Sequence, residues 1–485
     1  MSPTDEATTE PGLIRVPWSM WGQAGIIVLG AFTSMLSATI VNPALPAIGA
    51  STHASSAVAQ WVASGYLLAL TVGVPVSGWT GRKIGPTRLW LIGLALFCAC
   101  SILCATSRTI ELLIVGRVLQ GLAGGLLVPA GQTITSILAG PQRLGRLLST
   151  SGIAIVIAPT LGTTLGSVLL AHATWSWLFW INVPLCAVAL LAGARWLPNV
   201  KSGIAGPFDG TGLLLVVAGL PLLTYGISAI TQADGFSSVA ADAFTGAGVV
   251  LLAAYVWWEL RIRDPLLQLR LFTNRVFSSG AAVMFLGGAI NFATQVILPL
   301  YFVQSRHETL VAAGLLLGPQ VVGTALGFPL AGRLSDRYGA GLLLVVGGAV
   351  TAVATIPLAL VGADTGYAFL GIVLFVRGFG VALCTIPAMT VSLAVVRQDQ
   401  LADATPILNT LQRTGASIGT AVIAVLYGRE VINPNIAVQA VHAFRNTAWW
   451  LFAGACLLTL TAYVLAQVER TDRRGGFAKH APAAG

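Results

Sequence analysis

Runs of about twenty apolar residues, broken by short clusters of charged and turn-forming residues, recur from Trp18 to Ala466. A helix rises about 1.5 Å per residue, so each run matches the roughly 30 Å hydrocarbon core of a bilayer, and the pattern predicts about fourteen membrane-crossing helices. Six fall between Trp18 and Leu197, two between Thr211 and Trp258, and six between Phe277 and Ala466. The polar tail ahead of Trp18 is followed by an apolar run too long for a cleaved signal peptide, which reads as a retained anchor. The predicted organisation is a tail over 1–17, a six-helix half over 18–197, a linker with two extra helices over 198–274, a second six-helix half over 275–468, and a tail over 469–485.

Composition agrees with that pattern. Only 9% of the 485 residues are charged and the mean hydropathy is +0.84, whereas a soluble domain needs about 25% charge to wet its surface. The chain is therefore expected in a lipid bilayer. With a cytoplasmic N-terminus, 19 of the 26 Lys and Arg residues fall on inner segments, which predicts a multi-pass protein of the cell (cytoplasmic) membrane with both termini inside. The net charge of +9 then marks inner loops and gives no reason to expect nucleic acid as a partner. All six cysteines sit in apolar runs without C-x-x-C spacing, so they read as packing residues. No H-E-x-x-H or Walker sequence and no embedded acid pair is present, so no enzyme, metal or cofactor is expected.

Two segments repeat. Gly78 to Gly85 and Gly332 to Gly339 share a frame of glycines seven apart, each expected on the loop after the second span of a half. Arg82 occupies one frame, and Asp336 with Arg337 the other. An acid and a base beside glycine turns can latch one conformation against a helix end and release it in another, while plain positive-inside anchoring would need only the bases. The first frame lacks its acid, so its latch should differ or be weaker. Arg117 with Pro129 and Arg377 with Pro387 form a second echo, in the fourth span of each half. Duplicated halves are how many secondary transporters are built, with a substrate site between them near mid-membrane.

Arg117, Arg377 and Arg413 lie inside spans, where an ionised side chain costs roughly 2.5–3.5 kcal/mol on insertion scales. They are expected either on the transport pathway or as hydrogen-bonding ties between helices. Ser37, Asn42, Asn291 and Gln295 are expected to line a cavity, Asn291 and Gln295 sharing one helix face four residues apart, with helix-to-helix bonding as the alternative. Gly152, Pro159, Gly162 and Gly166 crowd the fifth span; the seven-residue steps from Gly152 to Pro159 to Gly166 place them near one face, and the proline permits a bend.

Taken together, these segments resemble the major facilitator superfamily, and in particular its fourteen-helix drug:proton antiporter family. Gly332 to Gly339 resembles the superfamily's G-x-L-x-D-R-x-G motif, Gly116-Arg117 with Gln120-Gly121 its fourth-helix arginine motif, and Gly152, Pro159, Gly162 and Gly166 its antiporter motif. Thr39 to Pro46, Trp175 to Pro184 and Phe208-Asp209 resemble landmarks of the fourteen-helix branch. The resemblance implies an all-α integral membrane protein of the major facilitator fold, two six-helix halves with an inserted central pair. It also implies a secondary active exporter of small organic compounds such as an antibiotic, a drug or a self-made metabolite, driven by protons through alternating access. An importer or uniporter of the same fold, and a non-transporting membrane sensor, are the alternatives.

The 17 acids bear on the mechanism. All are placed at the two surfaces, and Ser37 stands where many relatives carry an aspartate in the first span. The expected substrate is therefore neutral or anionic rather than cationic. Coupling should involve Arg117, Gln120, Arg377 or Arg413, together with an acid near a mouth such as Glu111 or Asp403, or a protonatable substrate.

Overall fold

The computed structural model describes residues 16–140, 143–200, 206–207, 209–232, 239–262, 264–362, 364–430 and 437–479. Among these every regular element is helical. The first half contains α1 (Trp18–Thr39), α2 (Ser56–Ile84), α3 (Pro86–Thr106), α4 (Ile110–Ala139), α5 (Leu144–His172) and α6 (Asn182–Trp196). Next come α7 (Gly210–Gln232) and α8 (Val239–Glu259). The second half contains α9 (Arg275–Arg306), α10 (Gly318–Tyr338), α11 (Ala340–Ala359), α12 (Tyr367–Ala394), α13 (Leu401–Glu430) and α14 (Ala437–Lys479). Among the described residues 11 helices are long and apolar enough to cross a membrane, or 12 when the two arms of the bent α5 count as one. Helix α7 is apolar over its described stretch Gly210–Leu223, and α13 is diluted by Asn409, Gln412 and Arg413.

Small residues let backbones touch inside each half. A Cβ on Gly121 would collide with the Tyr66 carbonyl and one on Gly125 with the Leu70 carbonyl, which seats α4 directly on α2. Gly378 and Gly323 do the same between α12 and α10. In a bilayer, where lipid is as apolar as leucine, such close packing is the main attraction between helices.

The repeated glycine frames are not loops. Residues Gly78 to Ile84 form the last turns of α2, and Gly332 to Tyr338 the last turns of α10. The chain turns at the final glycine of each frame, where Gly85 and Gly339 adopt φ of +87° and +85°. A left-handed φ suits glycine alone, so these positions stop the helix and the residues before them stay helical.

The halves meet along α2 with α13 and α5 with α10, and α7 packs on α8 and against both α2 and α13. The polar contacts between halves cluster at one end: Arg82 pairs with Asp403, Thr133 donates to the Leu401 carbonyl at 3.4 Å, and Asn409 donates to Gln132 at 2.6 Å. Gly332 abuts the Gly145 backbone at that same end, where a Cβ would come within 2.6 Å of the Gly145 carbonyl.

Candidate functional site

Arg117 projects from α4 into the centre of the first half and is fully buried. Its Nε donates to the Val62 carbonyl of α2 at 2.8 Å, and Nη2 to the Ser37 carbonyl of α1 at 3.0 Å. Nη1 donates to both Ser37 Oγ at 3.0 Å and Gln120 Oε1 at 2.7 Å, and Gln120 passes the chain on to Ser101 of α3 at 2.7 Å. The Tyr66 ring lies 4.0 Å beneath the guanidinium. One cation thus ties four helices through neutral acceptors, with no carboxylate beside it. Ser37 and Gln120 belong to this internal network and are fully buried.

Arg377 repeats the placement less completely. It is also fully buried; Nε donates to Thr355 at 3.3 Å, and Nη2 to Thr294 at 2.5 Å and the Ile290 carbonyl at 3.4 Å, while Nη1 has no partner. Arg413 differs from both. It lies roughly 18 Å along α13 from Leu401 at about 1.5 Å per residue, is partly exposed, and has no hydrogen-bond or ion-pair partner among the described residues. Tyr66, stacked on Arg117, is within electrostatic reach of Arg413.

The other expected residues scatter. Asn291 is half-buried and accepts from Gln320 at 3.2 Å, Gln295 is exposed one turn further on, and Asn42 is exposed at the short turn after α1. Glu111 is exposed in the first turn of α4. In α5 the helix bends by 41° just after Pro159, so the expected single face becomes two. Gly162 and Gly166 press on α1, at the Thr39 hydroxyl and Ile40 carbonyl, and the Thr39 hydroxyl donates to the Pro159 carbonyl at 2.9 Å. Gly152 faces the other half instead, where a Cβ would stand 3.0 Å from Phe328 and 3.2 Å from Ile386. Gly166→Val should therefore push α1 from α5 and cost about 1–3 kcal/mol of overpacking, seen as a lower melting temperature of the detergent-purified protein. An unchanged melting point would mean that the contact is not tight.

The latch frames also part company. Arg82 is buried against Asp403, and its Nη2 donates to the Pro265 carbonyl at 2.8 Å. The acid missing from the first frame is thus supplied by α13 of the opposite half. Arg337 is exposed beside the Tyr338 ring, and the side chain of Asp336 lies outside the described ones, as does Phe208. Sequence reasoning did not connect Arg82 with Asp403, nor Gln132 with Asn409. Each pair is more than 250 residues apart, and the one available signal was an acid and an amide in an otherwise apolar α13.

The sequence profile of the Major Facilitator Superfamily matches residues 27–420. The chain belongs to the major facilitator superfamily. It is a multi-pass membrane transporter rather than an enzyme. Among relatives of this superfamily member, a multidrug resistance protein B homolog of Mycobacterium tuberculosis is 32% identical over 422 residues, covering 83% of this chain and 75% of the relative. A lincomycin resistance protein of Listeria monocytogenes is 30% identical, covering 81% and 84%. A multidrug export protein of Haemophilus influenzae is also 30% identical, covering 86% and 82%. Among solved structures, the human organic anion transporter superposes with a TM-score of 0.63 over 91% of this chain and 100% of its own, at 15% identity, which shows the shared fold alone.

Proposed function

We propose that this transporter is a proton-driven exporter of small, fairly hydrophobic organic compounds, drugs or self-made metabolites among them, and that it prefers neutral or anionic substrates. The names of the relatives, multidrug and lincomycin resistance, support export of drugs. The observation that carries the substrate preference is Arg413, a partly exposed cation deep in α13 that has no partner among the described residues, none of whose carboxylates lies beside any of the three intramembrane arginines. A substrate carboxylate or phenolate there would form a charge-assisted hydrogen bond in low dielectric, whereas a permanent cation would be repelled.

In this reading α7 and α8 are an inserted pair that brings the spans to fourteen, residues 18–197 and 275–468 are the moving halves, and both termini are cytoplasmic. The contacts joining the halves then close the cytoplasmic side, so the conformation described here is outward-facing. Arg117 and Arg377 hold each half as one body, the bend at Pro159 is the pivot, and the ends of α2 and α10 are the latches. Asp403, buried between the halves, suits coupling better than the exposed Glu111.

The test is a pump-deficient host expressing wild type or Arg413→Gln, challenged with anionic, neutral and permanently cationic antibiotics. Loss of one charge-assisted bond, about 1.5 kcal/mol, should lower resistance to the anionic compounds by roughly tenfold and leave neutral ones nearly unchanged. Best protection against permanent cations would overturn the substrate preference. No protection against any compound, together with accumulation in intact cells, would overturn export.

A further inference from the structure

Where the inserted pair meets α2, two buried carboxyls lie together without a cation of their own. Asp209, 8% exposed, caps α7: its Oδ1 accepts from the Gly212 amide at 2.9 Å and the Trp258 indole at 3.0 Å, while Oδ2 has no partner. Glu259, 2% exposed, ends α8: its Oε1 accepts from the Leu266 amide at 3.1 Å, while Oε2 has no partner. Both carboxyls line Gly212, where a Cβ would touch Asp209 Oδ2 and stand 3.1 Å from Glu259 Oε1. The buried hydroxyl of Tyr255, one turn before Glu259, lies against the Glu259 carboxyl.

Charge balance makes this arrangement unusual. The buried charged groups from the surrounding elements are Arg82 of α2 and Asp403 of α13, already paired with each other. Asp264 and Lys83 are exposed, and Lys83 is turned over the Trp79 ring. Among the described residues, three buried carboxyls therefore lie with one buried guanidinium. Two neighbouring carboxylates out of water cannot both stay ionised at tolerable cost, so one oxygen is expected to carry a proton.

A short segment links this pair to the latch. Glu259 holds the Leu266 amide, Pro265 holds Arg82 through its carbonyl, and Leu267 packs against Gly78 beside Asp403. Three consecutive residues thus touch the carboxyl pair, the latch cation and the latch seat.

We propose that Asp209 and Glu259 form a proton-binding site at the inner end of the inserted helices, and that its occupancy sets how firmly Arg82 clasps Asp403. The ligand is one proton taken from cytoplasmic water onto Glu259 Oε2, beside the Asp209 carboxyl. With the proton bound, residues 265–267 stay seated and the clasp holds. As pH rises and the proton leaves, the like charges push the end of α8 from Asp209, residues 265–267 shift, and Arg82 loses its carbonyl support. The site lies off the path between the halves, and the inference is independent of what is transported and in which direction.

The experiment measures the clasp itself. Full-length protein in lipid nanodiscs carries spin labels at Arg88→Cys and Gln398→Cys, both exposed, with Cys98 and Cys456 replaced by serine. Label-to-label distances are read by pulsed electron resonance between about pH 8 and about pH 5.5, a range in which buried carboxyls titrate. The expected result is a shift of the wild-type population toward the short distance at low pH, and a short distance at both pH values in Asp209→Asn/Glu259→Gln. Glu259→Gln alone, which keeps an acceptor for Leu266, serves if the double variant does not purify as a single species. A wild-type distribution that ignores pH overturns the proposal, as does an unaltered pH response in the variants. A clasp restored at pH 8 by sodium ions would make this a metal-cation site and overturn it equally.

Discussion

Arg82→Met is expected to open the joined end of the protein. It removes the buried cation paired with Asp403 and leaves that carboxyl uncompensated, where breaking a buried ion pair costs about 3–5 kcal/mol. That shifts the balance between clasped and open states by roughly 10²–10⁴ and should reduce transport accordingly. Asp403→Asn should be milder, because Arg82 keeps the Pro265 carbonyl and has two other carboxyls near it. The reversed pair Arg82→Asp/Asp403→Arg restores opposite charges but loses the Pro265 bond, so partial recovery is the expected outcome. The readout is maleimide labelling of a cysteine placed at Gly81, which packs against Ala402 in the clasped state. Equal labelling in wild type and Arg82→Met would mean that the pair does not hold the halves together.

Arg117→Met should be the most damaging change within the first half. It deletes four hydrogen bonds at 2.7–3.0 Å, taking from the Val62 and Ser37 carbonyls, the Ser37 hydroxyl and Gln120 Oε1 a buried donor each. At about 1 kcal/mol for each lost bond the loss is about 4 kcal/mol. Arg117→Lys keeps the charge but cannot reproduce the planar fork that reaches Val62, Ser37 and Gln120 together, so it should recover less than half of that. Arg377→Lys should cost less than Arg117→Lys, since two of the three Arg377 bonds are 3.3–3.4 Å long and one Nη is already unpartnered. Thermal unfolding of the purified variants checks the order. A larger loss at Arg377 than at Arg117 would contradict it.

Much of the architecture is written in one dimension. Apolar runs set the helices because every backbone group in lipid must be bonded within its own segment, and that requirement is local. The glycine frames and the repeated arginines are equally local, and they placed the chain in its superfamily. Even there the sequence could not tell a loop from a helix end: the frames are helical up to Gly85 and Gly339, since charged residues such as Arg82 are compatible with either. What each polar side chain does depended on its neighbours across the fold. Arg117, Arg377 and Arg413 look alike in sequence, yet the first is saturated by four helices, the second has one end unpartnered, and the third is free and partly exposed. The latch acid comes from a helix more than 300 residues away, and two carboxyls separated by fifty positions share one buried corner. Hydrophobicity acts residue by residue and can be read along the chain, whereas hydrogen bonding and charge pairing act between residues and exist only once tertiary packing has chosen the partners.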